Sequence, residues 1–121
     1  MAAILIVEDD PENREMLAQV ITIMGYEVIA ANSGEEALRL LDRSADVALA
    51  VCDIRLPGMD GLAFGAAVRQ RHPKLKLVFV TGDSDAADDA IRDGSVAMLK
   101  PYNFDVMTRV FAEALGSPSQ I

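Results

Sequence analysis

Short apolar runs alternate with amphipathic stretches along the whole chain. Ala3 to Val7 is apolar and rich in β-branched residues, the signature of a strand. Asp10-Pro11 then opens a helix, because Asp is a good cap and Pro fits the first helical position. Met16, Leu17, Val20, Ile21 and Met24 follow at helical spacing, and Gly25 is placed to end the helix. Tyr26 to Ala31 reads as a second strand. Ser33 and Glu36 form a capping box for a helix through Ala37, Leu38 and Leu41. Val47 to Cys52 is continuously apolar, as expected of a strand covered on both faces.

The second half repeats the pattern. "LPGMDG" is a turn-rich loop, followed by a helix from about Leu62 to Arg71 that closes at His72-Pro73. Leu75 to Val80 predicts a fourth strand. Asp83 to Gly94 predicts a polar, weakly anchored helix, closed by Gly94 and expected to be mobile or displaced. "VAML" (Val96 to Leu99) is a short fifth strand, and Asn103 to Leu115 a last amphipathic helix. Five strand–helix units with short connections predict an α/β fold with a parallel sheet and helices on both faces. Ligands of such sheets bind beyond the carboxyl ends of the strands.

Composition narrows the reading. A length of 121 residues predicts one domain, with 51% hydrophobic residues to fill its core. The expected division is a domain over 1–116 and a short flexible tail over 117–121. No apolar run is long enough for a transmembrane helix, and the N-terminus lacks the basic start of a signal peptide. A single cysteine, Cys52, fits a reducing, cytoplasmic setting. The net charge of −8 argues against nucleic-acid binding through a basic surface. It fits either simple solubility or an acidic cation site, and position must separate the two.

Position does so. Strand one ends in Glu8, Asp9 and Asp10, strand three in Asp53, strand four in Thr81-Gly82, and strand five in Lys100-Pro101. Any one of these reads equally well as a helix cap or a solvated loop residue. Four strands delivering polar groups to the same edge is a different matter. Clustered carboxylates suit a hard divalent cation, Mg²⁺ above all, with Mn²⁺ as the alternative. A lysine and a threonine beside them could neutralise and orient a phosphoryl group, and an Asp can accept one. Asp53 follows the most apolar strand and is the candidate nucleophile. Glu8 and Asp9 are better placed as metal holders, and Asp10 as the helix cap. Hydrolytic metal chemistry lacks a base: the one histidine, His72, reads as a surface residue on the opposite edge.

"ILIVEDD", "DIRLPGMDG", "VTGD" and "KP", in that order, resemble the receiver domain of bacterial two-component response regulators, of the chemotaxis-regulator type. The likeness covers essentially the whole chain. It implies a flavodoxin-like strand order 2-1-3-4-5 and phosphorylation of Asp53 by a histidine kinase or histidine phosphotransfer protein. It also implies Mg²⁺ held by Glu8, Asp9, Asp53 and the Arg55 backbone carbonyl, with Thr81 and Lys100 on the phosphoryl group. A cis peptide before Pro101 and an output face on helix four, strand five and helix five complete the pattern. Such a domain is mainly a phosphoacceptor switch with self-catalysed transfer and loss of phosphate, not a conventional enzyme. The chain departs from the family at Ala97, where many receivers carry the aromatic that swings inward on activation; Tyr102 or Phe79 are the candidate substitutes. Arg55 and Asp83 hold positions that tune dephosphorylation in this family and could pair across the site entrance.

Rival readings remain. The domain could act alone through protein contacts, serve as a phosphate sink or relay intermediate, or be a module of a larger regulator or hybrid kinase. A nucleotide or flavin binder would need a phosphate loop after strand one, and "EDDPENRE" is its electrostatic opposite. A receiver that switches without phosphate is hard to square with an intact Asp53, Thr81 and Lys100. Direct DNA binding and membrane insertion are not expected. Cys52 reads as a buried small hydrophobe, the methionines as core filling with Met59 exposed, and Arg69 to Lys76 as a solvated basic helix end.

Overall fold

The computed structural model describes residues 3–43, 46–92, 95–100 and 103–115. Strands β1 (Ala3–Val7), β2 (Glu27–Ala31), β3 (Val47–Asp53), β4 (Lys76–Thr81) and β5 (Val96–Leu99) alternate with helices. The helices are α1 (Pro11–Ile23), α2 (Gly34–Arg43), α3 (Gly61–Arg71), α4 (Ser84–Arg92) and α5 (Phe104–Leu115). All strand pairs are parallel, in the order β2-β1-β3-β4-β5. The expected (βα)5 doubly wound sheet is therefore the observed one. Gly94, Pro101, Tyr102 and the expected tail over 117–121 lie outside the described residues.

The inner strands β1, β3 and β4 bury both faces by period-two alternation, while the edge strands β2 and β5 are partly exposed. Ile4, Ile6, Leu49, Val51, Val78, Val80 and Met98 pack against Leu17 and Ile21 of α1 and Met107 and Phe111 of α5. Leu5, Val7, Ala50, Cys52 and Phe79 face α2, α3 and α4, meeting Leu38, Leu41, Phe64, Val68 and Ala90. This alternation also sorts the residues at the carboxyl edge. Glu8, Asp53 and Lys100 continue the α1/α5 face, while Thr81 continues the face on which α4 begins.

Local signals set most boundaries. Asp10 accepts from the Asn13 amide at 2.9 Å and caps α1, with Pro11 at its first position. Gly25 follows the α1 C-cap at φ +102°, a backbone conformation only glycine adopts freely. Ser33 accepts from the Glu36 amide at 3.0 Å, but the Glu36 carboxylate reaches Asn32 N rather than Ser33 N. Asn103 accepts from Val106 N at 2.8 Å and starts α5.

Several expectations need correction. Met16 is exposed, because Leu17 and Ile21 alone fill the buried stripe of α1. Met59 is not free in its loop: its sulfur would lie 3.1 Å from a Cβ on Gly34, and it packs against the α2–α4 core. His72 is half-buried, its Nε2 3.0 Å from Asp42, which also takes Arg71 at 3.0 Å. The basic stretch is thus partly tied down within the molecule. The segment before Gly94 forms a thinly anchored helix as expected, with only Ala87 and Ala90 buried beneath it. Cys52 is fully buried opposite Asp53 as expected, and burial followed by the Asp53 charge pushes its thiol well up.

Candidate functional site

The register of the sheet brings the edge residues together. Val7 pairs with Cys52, Asp53 with Val80, and Thr81 with Leu99, so Glu8, Asp53, Thr81 and Lys100 end on one line. The Lys100 amide donates to the Thr81 carbonyl at 2.7 Å, and the Ile54 amide to the Val80 carbonyl at 3.0 Å. These main-chain bonds carry the ladder past the last strand residues.

At the centre, Lys100 Nζ donates to Asp53 Oδ2 at 2.9 Å and lies 3.8 Å from Glu8 Oε1. The other Asp53 oxygen accepts from the Arg55 amide at 3.1 Å. Glu8 is 3% exposed, and its second oxygen accepts from the Asp10 amide at 3.1 Å. Burial raises the Glu8 pKa above the ordinary carboxylate value, and the charge of Asp53 and contact with Asp9 push the same way. Burial works against a charged Lys100, but its bond to Asp53 and the charges of Asp53, Glu8 and Asp9 outweigh this and raise its pKa. The ammonium therefore stays charged between two carboxylates.

Thr81 is 1% exposed, and its hydroxyl oxygen accepts from the Asp83 amide at 3.1 Å. Asp83 in turn accepts from the Asp85 amide at 2.9 Å and caps α4, while its other oxygen pairs with the Arg55 guanidinium. The Arg55 bond, then the Ala86 and Asp85 amides, hold the Asp83 carboxyl below its usual value. Arg55 and Ala86 belong to the lining of an open groove of about 490 Å³ beside the "LPGMDG" loop. That loop is pinned from beneath. The Gly61 amide donates to Ile54 O at 2.8 Å, and a Cβ on Gly61 would stand 2.4 Å from Asp53 O.

The donor chemistry fits a magnesium ion. Among the described residues no three His, Cys, Asp or Glu side chains converge on one point. Mg²⁺ asks for less: one or two carboxylates, with waters and substrate oxygens completing its octahedron. Asp9 is exposed at the edge beside Glu8, while Glu8 is occupied by the Asp10 amide and Lys100.

Two residues here escape reading from sequence. Arg14 of α1 donates from Nη1 to Glu8 O at 2.9 Å and to Asp9 O at 3.4 Å. Glu35 of α2 accepts from the Met59 amide at 3.4 Å and so reaches the "LPGMDG" loop. Arg14, four residues after Asp10 on α1, carries a positional hint; Glu35, 24 residues from its partner, carries none.

The model of the response regulator receiver domain family matches residues 4–111. This chain belongs to that family. The receiver is 37% identical over 119 residues to response regulator protein FleR of Pseudomonas aeruginosa, covering 95% of this chain and 25% of FleR. It is 40% identical over 115 residues to the DNA-binding transcriptional regulator NtrC of Klebsiella pneumoniae, covering 92% of this chain and 24% of NtrC. The chain thus spans about a quarter of the length of these relatives. Among solved structures, it resembles response regulator protein TrrA of Thermotoga maritima, in complex with Mg²⁺-BeF, with a TM-score of 0.87 and 30% identity. The match covers 95% of this chain and 100% of TrrA. No helix among the described residues is long and apolar enough to cross a membrane.

Proposed function

We propose that the receiver accepts a phosphoryl group on Asp53 from a histidine kinase or histidine phosphotransfer protein, in a Mg²⁺-dependent reaction. The observation that carries this reading is the Lys100–Asp53 contact of 2.9 Å beside the buried Glu8. An Asp53 oxygen attacks phosphorus as the phosphorus–nitrogen bond of the donor phosphohistidine breaks, and the freed imidazole takes up a proton. Asp9, Asp53 and the Arg55 carbonyl would hold the Mg²⁺, with Glu8 behind them; when bound, the ion offsets the negative charge gathered on the phosphoryl oxygens. Lys100 supplies a second, fixed positive charge, and no reorganisation is needed to place it.

The response runs through Asp83. Thr81 already lends its oxygen to the Asp83 amide, and its hydroxyl proton can turn to a phosphoryl oxygen. Arg55, drawn to the same new charge, releases the Asp83 carboxylate. Both changes loosen the cap of α4, a helix anchored by two alanines. No aromatic at position 97 is required. Phe79, across the ladder from Ala97, is fully buried. The exposed Ile91, Val96, Leu99 and Phe104 support α4, β5 and α5 as the face whose partner affinity changes.

Incubation with a small phosphodonor and Mg²⁺, followed by intact-mass measurement, tests the assignment. One added phosphoryl group is expected, absent without Mg²⁺ and absent in Asp53→Ala. Addition that persists in Asp53→Ala would sink it.

A further inference from the structure

We infer that Arg14 is a positioning residue for the β1–α1 acidic loop, fixing the main chain that presents Asp9 to a divalent cation. The inference rests on the Mg²⁺-dependent reading of Asp53 and names a residue that this reading does not use.

Arg14 stands in the first turn of α1, three residues after Pro11. A cation there opposes the partial positive charge of a helix N-terminus, so the helix itself gives no reason for it. Its own amide makes an ordinary first-turn bond to Asp10 O at 2.9 Å. The guanidinium folds back to Glu8 O and Asp9 O, both from Nη1. These are the carbonyls of two consecutive peptide planes. Fixing both planes fixes the direction in which the Asp9 side chain leaves the backbone.

The two acids differ in what else holds them. Glu8 has its amide on Ala31 O at 3.1 Å and its carboxylate on the Asp10 amide. Asp9 is exposed, and Arg14 ties its carbonyl. A residue placed only to balance charge would aim at carboxylates. Arg14 directs Nη1 at neutral carbonyls instead, which orients the loop without pairing with either acid.

The two roles predict opposite signs. As a mere positive charge, Arg14 repels Mg²⁺, and its removal tightens binding. As a positioning residue, it is needed for binding, and its removal weakens it. Magnesium chloride is titrated into the full chain and followed by the amide shifts of residues 8 to 10, with thermal unfolding recorded in the absence of the ion. Arg14→Gln is expected to bind Mg²⁺ about tenfold more weakly than wild type, the usual size of an outer-shell effect. Equal or tighter binding overturns the inference, even if the variant is less stable. Should Arg14→Gln fail to fold, Arg14→Met, which keeps the stem and removes the donors, is judged the same way: weaker binding supports the role, equal or tighter binding overturns it. A wild-type chain that shows no Mg²⁺ response overturns the underlying metal reading and the Arg14 role together. A normal wild-type response with an unaffected variant overturns the Arg14 role alone.

Discussion

The β3–α3 and β4–α4 junctions both border Asp53, yet they are held very differently. After β3, the chain is clamped: Gly61 lies against Asp53 O, Asp60 caps α3 through the Ala63 amide at 2.8 Å, and Phe64 and Val68 are fully buried below. After β4, Gly82 faces open space, Asp83 caps α4, and the buried side chains beneath are Ala87 and Ala90, with Ile91 55% exposed. A buried Phe or Val contributes about 1.5–3 kcal/mol, and a methyl group about 0.8. The α3 anchor is therefore severalfold the stronger. The group proposed to react sits on the firm junction, and the element proposed to respond sits on the loose one. Low local stability is what a moving element needs.

The two glycines offer the sharpest way to break this contrast. In Gly61→Ala the new Cβ meets backbone at 2.4 and 2.7 Å, where neither strand nor loop can yield without moving Asp53. A loss of about 3 kcal/mol is expected, at the upper end for overpacking. Gly82→Ala meets nothing within 4 Å and is expected to stay within about 0.5 kcal/mol of wild type. Denaturant unfolding of the pair reads both. Similar losses would mean that the two junctions are equally tight.

Lys100 tests the firm side by its charge. Lys100→Met leaves Glu8 and Asp53 facing each other without their shared cation. A cost of about 1–3 kcal/mol at neutral pH is expected, as for other lost bonds to charged groups. It should shrink in acid, because Glu8 already has a raised pKa and takes up a proton first. A cost that does not vary with pH would show that the loss is one of packing along the lysine stem.

Much of the framework was legible in sequence. Asp10-Pro11, Ser33 with Glu36, and the apolar Val47 to Cys52 run are local signals, and the structure uses each of them close to where it stands. Asp53, Thr81 and Lys100 were legible because strand ends of a parallel sheet must share an edge. What stayed hidden depends on long-range contact. His72 is half-buried because Asp42, thirty residues earlier, comes up beside it. Met59 is covered because Gly34 leaves room for it. Arg14 reads as one more charge on a polar helix face until its guanidinium is seen bent back to the carbonyls of β1's exit. The pairing of Asp83 with Arg55 was expected from the family resemblance, but only the fold shows that Thr81 and the first turn of α4 meet on Asp83 as well.

That convergence yields the smallest effect of the three and the most informative about the loose side. Asp83→Asn keeps a good capping side chain and removes the charge that pairs with Arg55. In the folded receiver Arg55, then the Ala86 and Asp85 amides, lower the Asp83 pKa from its ordinary 3.8. A carboxyl with a depressed folded pKa stabilises the fold above its unfolded value. That contribution is lost as the pH falls through the lower, folded value. The unfolding midpoint of wild type should therefore exceed that of Asp83→Asn at neutral pH, and the two should converge as the pH drops below 3.8. The difference is small because the Arg55 side chain is 72% exposed and water screens the pair, so added salt should shrink it further. Amide exchange along α4 should quicken in the variant, while exchange along α3 stays as in wild type. If α3 and α4 quicken alike, the Arg55–Asp83 pair steadies the whole edge, and the two junctions are not separate parts of the switch.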